Sequence, residues 1–491
     1  MLLCTCSLWG AFFVNGLSGL SWSGLSRKVP KHSEFEGSTD SIPIAPALAL
    51  EDSVMRARYR DLLVSFALAV TASTLSCVTA SSAFVPSFED TIAEVTSPAK
   101  GDSFAPRIVA DGDGVILSWI ERDTPQSKAD ASVSRLFMSR LAKGVWSPAS
   151  EIASGSNLFA NWADTPTVLR ASDGALLATW LRSGTLGGSV YDAVVSRSVD
   201  EGRTWTVLGP LHDDGKHAEH GFVSGETGSG ATVLCWLDGR AMTPPDPAAG
   251  GHDHGGGDMS LRAARTAPTV QRPSPPSEIL DERTCECCPT DLAIGAQGPI
   301  VVYRDRGEDE TRDIALVRWL GEGWSQPQRI GSDGWKINGC PVNGPSISAR
   351  RNDVVVAWWT GATAEGAVRA VRSKDGGATF GAVIEVDADG SLGRVETLLL
   401  PSGDALIIWQ DVQGDDAAVV VRRLSADGTL GALHTIAQVP ADRSSGFPRA
   451  TVQGTDLWLA CTTEGEGAGE GNRRAVKVFR IPVDLQLKDK L

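Results

Sequence analysis

The sequence predicts an all-β protein, a β-propeller of seven four-stranded antiparallel blades, and three observations predict it. First, one pattern recurs: a strand opening near Pro or Gly, a Gly-rich turn, then a β-branched run ending in an aromatic residue. Second, the aromatics Trp119, Trp180, Trp236, Tyr303, Trp358 and Trp409 follow one another at 61, 56, 67, 55 and 51 residues, room for four short strands each. Third, helical periodicity is almost absent after residue 83.

The first unit reads FAPRIVADGDGVILSWIERD, and the later ones open at Thr165, Gly221, Cys288, Gly344, Val395 and Phe447. Between these hairpins lie second strand pairs, such as RLFMSRLAKGVWSPASEI. The last unit, ending near Val476–Ile481, has three strands, so Thr91–Val95 is expected to supply its fourth and leave no open sheet edge. Six blades are the alternative count.

Composition narrows the partners. Of 491 residues, 42% are hydrophobic and 21% charged, which suits a globular chain with ample core. Its formal net charge of −15 opposes nucleic acid and anionic membrane as partners, without excluding a local cationic pocket. Residues 1–54 show no steady period and read as a segment upstream of the true start. Met55 opens a basic stretch, Leu62–Ser76 is apolar, and Ser81-Ser82-Ala83 offers a cleavage site, so residues 55–83 read as a secretory signal. The protein is then expected to be exported, periplasmic or extracellular, with the propeller spanning residues 90–484. A lipid anchor at Cys77 is the minority reading, and no stretch is long and apolar enough to span a bilayer.

Two segments narrow the superfamily. Ser198–Trp205 fits S-x-D-x-G-x-T-W, and Ser373–Phe380 fits it with Phe for Trp. These are Asp boxes, and with them the chain resembles the sialidase (neuraminidase, BNR-repeat) superfamily, whose members have six blades. EHGF (Glu219–Phe222), WLDGR (Trp236–Arg240), HDHGGG (His252–Gly257), CECCPTD (Cys285–Asp291) and GCPVNGP (Gly339–Pro345) resemble a group of exported bacterial sialidase-like proteins. The expected partner is a carbohydrate or small anionic ligand, which the protein acts on or binds, and the protein is expected to be a monomer. Sialidase chemistry asks for an arginine cluster on the sugar carboxylate, a Tyr nucleophile paired with a carboxylate, and an acid.

Propeller topology places second-strand ends and the connections into first strands on one face, and Asp boxes on the other. The second-strand ends carry Glu121-Arg122-Asp123, Arg182, Asp238-Gly239-Arg240, Arg304-Asp305-Arg306 and Asp411. On this basis Arg107, Arg240, Arg304, Arg394 and His220 are candidate ligand contacts, and Asp238, Asp305 and Glu219 candidate catalytic acids. Tyr303 stands at an inter-blade packing position and Tyr191 opens a third strand, so neither is assigned as nucleophile. Cys285, Cys287, Cys288 and Cys340 lie in adjacent connections and read as two disulfides bracing the mouth. No cofactor is expected. The alternative is zinc or copper, held by His252 and His254 near His217, His220 and the thiols. Cys235 and Cys461, in strand interiors, read as buried thiols.

Overall fold

The computed structural model describes residues 88–123, 132–184, 190–216, 218–228, 230–243, 256–266, 276–465 and 473–483. His217, His252, His254, the signal segment and the possible lipid anchor lie outside them. Among the described residues, seven antiparallel sheets form the molecule, six with four strands and one with five. The seven-bladed expectation holds, and six is excluded. No described helix is long and apolar enough to cross a membrane.

The innermost strands are Asp102–Asp111, Thr167–Arg170, His220–Gly228, Asp291–Gly295, Ser346–Arg350, Ser391–Leu399 and Arg449–Gln453. All seven line one axial cavity of about 810 Å³, which shows that the sheets close into a ring. Ala93–Val95 pairs with Arg474–Pro482, Ala93 lying opposite Arg480, so an N-terminal strand completes the last blade as predicted. The first blade owes its fifth strand to an interruption. Val145–Trp146 and Ser150–Gly155 both pair with Ser134–Ala142, and Pro148, which lacks an N–H, falls between them.

The ring explains the sequence pattern. Each sheet is packed on both faces, so its middle strands read as continuous apolar runs instead of alternating ones. Val354–Trp358 and Ala405–Trp409 are 0% exposed throughout. Seven apolar layers fill the gaps between neighbouring blades, and each recurrent aromatic sits in the layer toward the preceding blade. Trp119 faces the seventh blade, Trp358 the fourth and Trp409 the fifth. Tyr303 fills the equivalent place against the third blade. In the seventh blade the position falls to Cys461, which follows Ala460, the partner of Arg449, as Trp119 follows Ser118, the partner of Arg107. That substitution is why the aromatic series ends at Trp409, one blade short of the ring.

Both S-x-D-x-G-x-T segments close turns between third and fourth strands. Asp200 accepts from the Thr204 N–H at 2.9 Å and the Thr204 hydroxyl at 2.7 Å, while Ser198 donates to it at 2.8 Å. Asp375 makes the same bonds to Thr379 and Ser373. Gly202 takes φ +78°, and a Cβ there would meet Met138 Sδ of the preceding blade at 2.6 Å, so only glycine fits.

Trp358→Ala removes a fully buried indole from the layer between the fourth and fifth blades. It is expected to cost about 3–5 kcal/mol, read as a lower urea-unfolding midpoint, with Trp358→Phe recovering most of the loss.

Candidate functional site at the mouth of the ring

On the face where second strands end, the inner strands begin irregularly. Their pairing slips between Phe104 and Arg107, between Gly221 and Ser224, and between Gly393 and Glu396. In each slip a non-glycine residue takes positive φ: Ala105 at 52°, Phe222 at 53° and Arg394 at 57°. Such backbone costs of order 1 kcal/mol or more, and it recurs here around one opening. Ala163, Phe222 and Phe447 meet in a single apolar cluster, with Trp162 and Val342 packed against it. These residues belong to the approaches to the second, third, seventh and fifth blades, so they converge across the axis.

A carboxylate–phenol group lies beside this plug. Tyr191 Oη donates to Glu219 Oε1 at 2.7 Å, and its ring stacks on Phe159 with centroids 4.8 Å apart. Asp164 accepts from the Phe222 N–H at 2.7 Å. Gly221 separates the two: a Cβ there would stand 2.1 Å from Asp164 Oδ2 and 2.7 Å from Tyr191 Cε2. Burial, with the neighbouring Glu219, pushes the Asp164 carboxyl up to about 7 despite that N–H. Burial, followed by the charges of Glu219 and Asp164, holds the Tyr191 hydroxyl well above its usual value.

Phe159 also lines a cavity of about 420 Å³. Its other walls are Phe104, Trp162 and the arginines Arg122, Arg443 and Arg474. Arg474 packs over the Phe104 ring at 3.5 Å and pairs with Asp102 at 2.6 Å. Arg122 lies over the same ring at 5.0 Å and reaches the Ala160 carbonyl at 3.4 Å. Burial and then the like charge of Arg474 lower the Arg122 pKa. Arg443 lies over Trp162 at 5.7 Å. No carboxylate is among the described lining residues, which make the cavity cationic in a chain of net charge −15.

The residues singled out in the sequence fall into separate places. Arg107 lines the axial cavity, facing Glu396, Asp291 and Glu226, with Arg449 bound to Glu396 at 3.1 Å. Arg304 is 1% exposed and donates to the carbonyls of Asn343, Arg312 and Trp359. Arg394 lies under Trp162, bonded to Gln410, Ser445 and the carbonyls of Gly446 and Asp442. Both guanidinium groups are thus engaged in holding loops. Asp305 binds Arg329 at 3.0 Å.

Asp238 is wholly buried, bound by the Trp236 indole and Arg240 at 2.8 and 2.7 Å. Burial raises its pKa, but those bonds and the nearby His220 outweigh it and hold the carboxyl ionised, unlike a proton donor. His220 stacks on His212 with ring centroids 3.6 Å apart. Asp214 bonds both imidazoles, at 2.6 Å to His212 and 3.1 Å to His220, and Asp192 bonds His212 at 3.2 Å. Asp214, His220 and Asp238 could group around an ion, yet Arg240 already occupies the Asp238 side. Of the candidates, then, Glu219 meets Tyr191 at the plug, while Asp238, Arg240 and His220 form a neighbouring charged cluster.

The four thiols do converge. Cys285 Sγ lies 3.1 Å from Cys288 Sγ and 4.0 Å from Cys287 Sγ, with Cys340 packed against them. None of these pairs is at disulfide bonding distance. Burial pushes the Cys235 and Cys461 thiols up to about 12, as expected of thiols in strand interiors.

Sequence reasoning did not single out Asp164, Arg443 or Arg474. The rule that gathers loops on one face would have found Arg443, which precedes the seventh blade. Asp164 had no signal beyond its place ahead of Thr165-Pro166.

The chain matches no protein-family model and no curated protein. Solved structures do resemble it. The polysaccharide lyase Uly1 superposes with TM-score 0.48 and 11% identity, over 78% of this chain and 90% of that one. The Penicillium chrysogenum α-L-arabinanase complexed with arabinobiose gives 0.40 and 13%, over 78% and 95%. Trypanosoma rangeli sialidase with the inhibitor DANA gives 0.39 and 11%, over 68% and 56%. At these identities the likeness is one of sheet arrangement, and no residue is carried over.

Asp164 sets a pH dependence of stability. The folded chain keeps its proton until about pH 7, whereas an unfolded Asp loses it near 3.9. Between those values the folded state binds more protons, so this group makes stability fall as pH rises, by roughly 1.4 kcal/mol per unit. Asp164→Asn is expected to remove that fall, which paired urea titrations at pH 5 and 8 would show as a wider advantage of the variant at pH 8. Gly221→Ala is expected to split Tyr191 from Asp164 and destabilise the mouth, seen as faster amide exchange at Phe222.

Proposed function

We propose that this protein is an exported propeller that acts on an anionic carbohydrate at the mouth of its ring. The observation that carries the reading is the cavity walled by Arg122, Arg443 and Arg474 over Phe104, Phe159 and Trp162. Planar guanidinium groups suit a carboxylate or sulfate, and aromatic faces suit the apolar side of a sugar ring. Burial and the like charge of Arg474 work against Arg122, and a bound anion would relieve that repulsion.

The finer reading is glycoside hydrolysis of the sialidase type. Phe159 connects the cavity to Tyr191, whose hydroxyl is already bonded to a base. In the reaction Tyr191 Oη attacks the anomeric carbon and its proton passes to Glu219. Asp164, half protonated near pH 7, donates a proton to the departing oxygen as its bond to the anomeric carbon breaks. It then takes a proton from water, whose oxygen attacks the anomeric carbon and releases Tyr191, and the freed phenolate recovers its proton from Glu219. Arg122 and Arg443 hold the sugar's anionic group throughout.

Binding without turnover has its own observation. Tyr191 and Asp164 are only 2% and 3% exposed, behind Phe159 and Gly221. A lectin-like mouth would keep them as structural groups.

The experiment is a panel of sialosides, glucuronides and neutral glycosides, read by calorimetry and by sugar release. Acidic sugars are expected to bind, and removing both guanidinium groups in Arg122→Ala/Arg443→Ala to weaken them by about tenfold to a hundredfold. Equal binding of neutral and acidic sugars would overturn the anionic reading. If turnover is present, Asp164→Asn is expected to lower kcat roughly 10²–10⁴-fold, and Tyr191→Phe to abolish it with binding kept. Saturable binding with no release from any glycoside decides for the second reading.

A further inference from the structure

Beside the plug, the connections into the fourth and fifth blades bring three buried cysteines and the partly buried Cys340 into one cluster, and Val342 packs against both the cluster and the plug. We propose that Cys285, Cys287, Cys288 and Cys340 form a closed, all-sulfur site for a thiophilic closed-shell cation, Zn(II) or Cu(I), which ties these two connections together.

The geometry favours shared ligation over two disulfides. Two disulfides need two exclusive sulfur pairs. Here Cys285 is neighbour to both Cys287 and Cys288, at 4.0 and 3.1 Å. Cys287 in turn is neighbour to both Cys285 and Cys340. Sulfurs that share neighbours surround a common centre. The three sulfurs of Cys285, Cys287 and Cys288 all lie within 4.8 Å of one another. Tetrahedral thiolates at ~2.3 Å from zinc would stand ~3.8 Å apart, within that spread. Cys285 and Cys288 also stand three residues apart, the C-x-x-C spacing that lets one tight turn present two sulfurs to one ion.

The surroundings match the charge such a site would carry. A divalent ion with four thiolates is doubly negative. Arg312 Nη1 lies 3.2 Å from Cys285 Sγ, and the buried Arg304 donates to the Arg312 carbonyl at 2.7 Å. Glu286, inside the motif, is not a ligand: one oxygen binds Arg306 and the other binds Arg312 at 2.7 Å. The donor set is therefore soft sulfur, which selects zinc and copper(I) over magnesium or calcium. Four sulfurs fill a tetrahedral shell, and Cys285, Cys287 and Cys288 are only 1%, 8% and 2% exposed, so the ion would keep no position for a reacting water and would brace the mouth. On binding, each thiol that enters as S–H gives its proton to solvent.

The test uses the full chain purified under reducing conditions, loaded in separate arms with Zn(II) or with Cu(I) and then desalted. One equivalent of metal per chain is expected, with four thiols protected from a thiol reagent and a higher Tm. Co(II) substitution is expected to give a thiolate-to-metal charge-transfer band. Cys288→Ala should bring retained metal to about none, while Cys235→Ala, outside the cluster, should keep the full equivalent. Four reactive thiols after loading, or equal metal retention by Cys288→Ala and the parent, would overturn the proposal. So would a reduced chain that rejects both ions yet reoxidises to two disulfides among these cysteines.

Discussion

Burial of both faces of every sheet is the constraint on which the rest of this structure depends. A single four-stranded blade with runs such as Val354–Trp358 cannot leave either face in water. It needs a neighbour on each side, and seven such sheets meet that need only by closing. The layers between blades are equivalent, so one large aromatic recurs in six of them, with Cys461 in the seventh, and closure requires Ala93–Val95 to return to the last sheet.

Closure then decides what happens at the axis. Arg107, Thr167, Glu226, Asp291 and Glu396 line the axial cavity together, although they are far apart in sequence. Charges brought inside the ring must be matched there, as Arg449 is by Glu396. The same convergence gathers Ala163, Phe222 and Phe447 into a plug at the other end. A ring of repeated sheets has little sequence-local structure at its mouth, so slipped registers and positive-φ residues accumulate at the plug, next to Tyr191, Glu219 and Asp164.

Electrostatics separates two kinds of arginine. Arg304 and Arg394 are buried and spent on carbonyls, where they hold connections in place. Arg122, Arg443 and Arg474 face a cavity instead, and among the described residues only Arg474 has a carboxylate bonded to it, Asp102. Lone charges in the sequence do not announce this difference. It depends on which loops lie overhead, and those loops come from the first, second and seventh blades.

The sequence by itself determined the blades: hairpin turns, buried aromatics, the Asp-box turns and the donated N-terminal strand are all set within a few dozen residues by period and turn chemistry. It also showed that Cys285–Cys288 and Cys340 belong to successive connections on one face. Only the tertiary structure decided which side chains meet. Tyr191 and Glu219 are 28 residues apart and sit in different blades, and Arg122 and Arg443 belong to blades that become neighbours only when the ring shuts. A repeat pattern encodes the local sheet, whereas contacts across the axis follow from closure, a property of all seven sheets together.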